Sequence, residues 1–292
     1  MMKTIASALV SLALLSGCAS VSQPEPIALA VPLQISYQSE ATLVRLGQLI
    51  DSGKYQNEQL SQLYYERGLL LTNLGLEAMA RLDFSHSIRI TPDFSPSYNF
   101  LGLFYLSHQE LDNAYEAFDS AIELDATDTY PYFTRALALY YGHKYTLAEK
   151  DIQHYQASAE NDPYRLVWQY LIQMHDNPKL ALKTLQQEYQ PHQQSDEWGW
   201  KIVGLYTGDI SVREFIHLAD NSEQNNVQLA QQLCEAYFYL AKKMQLDGKN
   251  ELAKSYFKLS LSGNVYEYIE HRLALLELQI YDQQPFMTAR KS

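Results

Sequence analysis

The stretch YNFLGLFYLSHQELDNAYEAFDSA, residues 98–121, decides the fold of this 292-residue chain. It opens on Tyr98, places a small residue at Gly102, and answers with Ala114 and Phe118 beyond a polar turn. Neighbouring segments repeat it at a spacing of 34: Tyr64, Tyr98 and Tyr132 form one series, Ala80, Ala114 and Ala148 another. Gly68 and Gly102 are continued by Ala136, and Phe84 and Phe118 by Ile152. Apolar residues at helical spacing, with small residues where two helices cross closely, describe one helix pair copied along the chain.

That period and those offsets are the signature of tetratricopeptide (TPR) repeats. The expected fold is all-α, a TPR-like right-handed helical solenoid of paired antiparallel helices with a C-terminal capping helix. Stacked pairs make an extended concave surface, so a binding scaffold is expected before an enzyme. Composition agrees: 47% apolar and 19% charged residues can bury a core. The net charge of -12 comes without clustered Lys and Arg, so nucleic acid is not an expected partner. The 23 tyrosines either fill helix contacts or line an interface.

Outward from the repeats, residues 1–17 read as a signal peptide, with Lys3 ahead of an apolar stretch from Ala6 to Leu15. That stretch is short of the roughly 20 residues a spanning helix needs. Leu15-Ser16-Gly17-Cys18 resembles the bacterial lipobox, which makes Cys18 the acylated first residue of the mature chain. Several acyl chains, at about 0.8 kcal/mol per buried methylene, would hold it on a membrane facing the periplasm. By resemblance to Gram-negative lipoprotein sorting, Ala19 favours the outer membrane. Cys234 then has no intrachain partner, and is either a buried small hydrophobe or an intermolecular bridge.

Residues 18–37, with Pro24, Pro26 and Pro32, read as an extended tether. An N-terminal helix is expected within 38–60, capped by Ser36 or Ser39 and stopping near Gly53. Three TPR units span 61–162, as 61–94, 95–128 and 129–162. Residues 163–229 read as two irregular helix pairs cut by Pro178 and Pro191. A fourth unit, 230–262, carries Tyr237, Ala241, Gly248, Ala253 and Phe257. A capping helix over 263–282 should put Leu273, Leu276 and Ile280 on one face and Arg272 and Glu277 outside. Residues 283–292 read as a frayed tail.

Little here is built for chemistry. Glu267 and His271 stand four apart but read as a solvated helix contact, and no Cys pair or His-Glu-x-x-His exists for a metal. Ser255 and Lys258 match the Ser-x-x-Lys of acyl transferases, yet the companion motifs are missing and Ser255 lies between packing positions Ala253 and Phe257. No catalytic residue, metal or cofactor is expected. The groove is more informative. Its wall should come from Tyr65, Leu69, Thr72, Asn99, Leu103, Leu106, Phe133, Leu137, Tyr140 and Tyr141. Leu69, Leu103 and Leu137 then form an apolar rail without the Lys and Arg of a carboxylate clamp. Its occupant is either an apolar or amphipathic helix of a partner or second copy, or a terminal helix of the chain itself.

Trp198-Gly-Trp200 and Glu270-His-Arg272 lie outside TPR packing needs. Leu29-Ala-Val-Pro-Leu-Gln34, Tyr65-Glu-Arg-Gly68, Ala114-Tyr-Glu-Ala-Phe-Asp-Ser120, Trp198-Gly-Trp200, Glu270-His-Arg272 and Ala274-Leu-Leu-Glu-Leu278 together resemble the NlpI-type TPR lipoproteins of Gram-negative bacteria. The resemblance covers nearly the whole mature chain and implies a homodimeric, membrane-attached adaptor. Members of that family bind the tail-specific protease Prc and its substrate, the murein endopeptidase MepS. They keep peptidoglycan cleavage in check and are linked to other murein hydrolases and synthases and to cell division. The competing functions are an envelope enzyme, as a murein hydrolase or acyl transferase, and an assembly factor for other envelope proteins.

Overall fold

The computed structural model describes residues 27–156, 158, 161–220 and 224–289, with side chains through 283. Cys18 and the signal peptide lie outside the described residues. After an irregular arm, 27–36, the chain forms α1 (Tyr37–Asp51). Ser36 caps it, its hydroxyl accepting from the Ser39 amide at 3.0 Å. Three helix pairs follow: α2 (Asn57–Asn73) with α3 (Glu77–Ile90), α4 (Ser95–Ser107) with α5 (Leu111–Leu124), and α6 (Tyr130–Tyr141) with α7 (Tyr145–Gln156).

Two features hold each pair together, and both repeat. At the crossing, a Cβ on Gly102 would fall 2.4 Å from the Phe118 ring, and one on Gly68 would fall 2.7 Å from Phe84. Where the third pair has Ala136 in place of glycine, the facing residue is the smaller Ile152. Side-chain volume is conserved across the crossing, as dense packing requires. At the turn, Gly75 has φ +74°, and Gly248 in the fourth unit has φ +72°. The equivalent Gln109 and His143 hold the same left-handed conformation, φ +60° and +58°, without being glycine.

A polar rung skips the middle unit. Arg67 grips Asp83 through two hydrogen bonds of 2.7 and 2.8 Å, and Arg135 grips Asp151 through two of the same lengths. These pairs stand two repeat lengths apart, and Leu101 and Ala117 occupy the intervening positions. Beyond the repeats come α8 (Pro163–Gln173), α9 (Pro178–Tyr189), α10 (Trp198–Thr207) and α11 (Val212–Ala219), two irregular pairs. Then α12 (Asn226–Leu246) and α13 (Asn250–Leu261) form the fourth unit, and α14 (Ile269–Ala289) closes the chain.

Three expectations need correction. The segment read as a free tether is docked from residue 28 onward. Tyr237 Oη bonds both the Ala28 amide, at 2.8 Å, and its carbonyl, at 2.7 Å. Asn226 does the same for Val31, and the Leu33 amide donates to the Gly263 carbonyl. Second, α14 continues through Pro285 to Ala289 where a frayed tail was expected. Third, Arg272 and Glu277 are buried, because α14 packs on α13 with one side and turns the other into the solenoid.

Candidate protein-binding face

The concave wall is occupied by the chain itself. Of the residues expected to face a partner, Leu103, Leu106, Phe133 and Leu137 are buried in a cluster shared with Leu273, Ala274 and Leu276 of α14. Asn99 is buried too, its carbonyl oxygen accepting from Thr134 Oγ1 at 2.7 Å and tying α4 to α6. Thr72 is buried and bonds the Gly68 carbonyl of its own helix. Tyr65 and Leu69 are half-buried, Tyr65 lying among Phe84, Phe94 and Phe100 with ring centroids 5.3–6.0 Å away. Leu103 and Leu137 of the rail are therefore core, while Leu69 packs half-buried against the separate α2–α3 cluster of Leu71, Ala80 and Phe84. Of the two occupants the sequence leaves open, it is the terminal helix of this chain that meets the rail, at α4.

Tyr140 and Tyr141 sit where the wall opens again. Tyr141 Oη donates to Glu277 Oε1 at 2.9 Å, and Lys242 Nζ donates to the same oxygen at 2.6 Å and to Tyr140 Oη at 3.0 Å. Gln245 Nε2 donates to Glu277 Oε2 at 2.8 Å. Burial disfavours the charge on Lys242, but the Glu277 carboxylate and the Tyr140 hydroxyl outweigh it and hold the ammonium above its ordinary range. These groups bound a cavity of about 520 Å³ that also takes in Gln109, His143, Tyr145 and His175. Sequence reading looked for cations only on the first helices of the first three repeats, whereas Lys242 arrives from α12, the first helix of the fourth. A lysine directly after the packing residues Leu240 and Ala241 was the available signal.

A second buried polar cluster joins α8, α12 and α14. Tyr164 Oη donates to Glu235 at 2.7 Å and Tyr239 Oη donates to Glu270 at 2.9 Å. Burial first, and the Glu270 charge second, push Glu235 up to about 8, and burial raises Glu270 as well. The folded value of Glu235 stands above the ordinary 4.5. Its contribution to stability is therefore complete below about pH 4 and is lost as pH rises through about 8. The thermal midpoint should fall between pH 6 and 9 by roughly the equivalent of 1–3 kcal/mol, and Glu235→Gln should flatten that slope. A midpoint independent of pH in the wild type would contradict this reading of the cluster.

The remaining sequence candidates are not brought together. Glu267 precedes α14 and accepts from Gln231, while His271 lies on the helix beside Tyr266. Burial and Arg272 press the His271 imidazole down to about 4. Ser255 is exposed and donates to the Glu251 carbonyl of its own helix at 3.0 Å. Cys234 is a buried free thiol beside Ser260, which resolves its two readings in favour of a small core residue. Burial pushes that thiol well up, so it resists ionisation. Among the described residues no group of three or more His, Cys, Asp and Glu is placed to hold a metal, and no helix is long and apolar enough to cross a membrane.

Comparison with known proteins matches the same segment that opened the reading. A tetratricopeptide repeat family model matches residues 95–128, the α4–α5 pair. Similar solved structures include the C-terminal part of a TPR repeat-containing protein from Cytophaga hutchinsonii, at 14% identity, 77% of each chain and a TM-score of 0.43. YrrB, described as a TPR protein with an unusual peptide-binding site, is 12% identical over 79% of this chain and 95% of its own, with a TM-score of 0.43. Pseudomonas aeruginosa pilF is 15% identical over 77% of this chain and 97% of its own, also with a TM-score of 0.43. The chain carries a TPR repeat within an all-α solenoid of helix pairs.

Proposed function

We propose that this chain is a non-catalytic periplasmic adaptor, lipidated at Cys18 and paired with a second copy. In this reading it holds a Prc-like tail-specific protease beside a MepS-like murein endopeptidase, restraining peptidoglycan hydrolysis and acting on cell division. The observation that carries the reading is an apolar surface that the fold holds outward. The arm is pinned through the backbones of Ala28, Val31 and Leu33, and its large side chains Ile27, Leu29, Val31 and Ile35 remain exposed, as does Tyr37 at the start of α1. Large apolar side chains held exposed along one pinned segment mark an interaction surface.

Ser255, the one residue with a nucleophile's motif, spends its hydroxyl on its own helix, in keeping with a scaffold. The test is reconstitution. Endopeptidase degradation by the pure protease is measured with and without this chain. Tethering both partners should speed it roughly 100-fold at sub-saturating concentrations. An unchanged rate with every component folded would sink the adaptor reading.

A further inference from the structure

Resting on that adaptor reading, we propose that the cavity beside the α6–α7 turn takes an uncharged aromatic side chain of a partner peptide, with Tyr140 and Gln245 bonding the peptide's main-chain amide. The walls are already an aromatic lattice. Tyr140 meets Tyr141 at 90° and 5.3 Å, Tyr145 at 67° and 5.9 Å, and His175 at 69° and 5.5 Å. Tyr145 and His175 stack at 3.9 Å and 6°. Another ring extends such a set by the same edge and offset contacts, at low entropic cost.

The charge balance selects against an ion. Lys242 and Glu277 neutralise each other inside the site, so an entering carboxylate or ammonium would lose water without finding a spare counter-charge. His175 is pressed below its ordinary value by burial, Lys242 and His143, and stays neutral. What remains unpaired among the lining groups is one donor and one acceptor. Tyr140 Oη accepts from Lys242 and keeps its own proton to give. Gln245 donates through Nε2, while its buried Oε1 meets no donor in the structure. A peptide unit offers the matching carbonyl and amide.

Backbone strain converges on the same cavity. Its rim carries Gln109 and His143, the two turn residues held at positive φ where the other units use glycine. Each non-glycine residue there costs about 1–2 kcal/mol, a cost that persists at sites where a side chain is needed.

The test uses the full chain and N-acetyltyrosinamide as probe. Carbon–proton spectra follow the His175 ring and the Leu171 and Leu246 methyls, which line the cavity. The probe should shift these signals, and Tyr145→Ala and Gln245→Leu should each weaken its binding about tenfold with circular dichroism unchanged. Absence of shifts would overturn the proposal. So would an equal response to N-acetyllysinamide or N-acetylglucosamine, or indifference to both variants. Failure of the probe with accelerated endopeptidase degradation intact removes only this inference. Loss of the acceleration in the wild type removes the adaptor reading itself.

Discussion

Leu103→Glu should unfold the protein or lower its thermal midpoint by roughly 10–20 °C, rather than weaken association of an intact fold. Leu103 is 4% exposed and lies in the cluster shared with α14. The substitution forfeits about 2–3 kcal/mol of apolar burial. It also buries a carboxylate with no partner, which adds several kcal/mol before the group neutralises. Against a total stability of about 5–15 kcal/mol for a typical domain, that is decisive. Leu103→Met keeps volume and polarity and should cost less than about 1.5 kcal/mol. By contrast Leu29 is 62% exposed, so Leu29→Glu should leave the midpoint within the equivalent of about 0.5 kcal/mol. If the arm pairs two copies, that second variant shifts sedimentation towards monomer. A Leu103→Glu protein with the wild-type midpoint would mean that α14 does not meet the rail.

The contrast between Leu103 and Leu29 shows what was legible in the sequence. The repeats were, because each crossing is local: Gly102 faces Phe118 within one unit, so spacing alone reports the contact. Helix pairs, turns and the irregular middle follow from such short-range rules. The concave face does not, because its contents arrive from far along the chain. Glu277 reaches Tyr141, and Tyr237 reaches Ala28, through the closing geometry of the whole solenoid. The period of 34 is silent on that geometry. A polar residue on a helix stripe, such as Arg272 or Glu277, reads as a solvated face unless its partner is known. Here the partners are Glu77, 2.9 Å from Arg272, and Lys242. Periodicity therefore reports the contacts within each unit and is silent on which side of the wall meets water.

Lys242→Met should cost about 3–5 kcal/mol, because Lys242 is 4% exposed and its removal leaves the Glu277 carboxylate buried without a cation. Glu277→Leu should cost a similar amount, stranding the ammonium together with the Tyr141 hydroxyl and the Gln245 amide. For an isolated buried pair the double variant often returns to wild-type stability, since two desolvated charges are replaced by apolar contact. This pair is not isolated. Tyr140, Tyr141 and Gln245 all bond to it, and each would lose a partner worth about 0.5–1.5 kcal/mol net. The double variant should thus recover only part of the loss, leaving it about 1–3 kcal/mol below the wild type. Denaturant midpoints of the four proteins measure this as a coupling energy of opposite sign to the single losses. Simple additivity of the two single losses would show that the residues do not interact. Full recovery would show that the surrounding tyrosines and Gln245 take no support from the pair, and that the cavity wall stands without it.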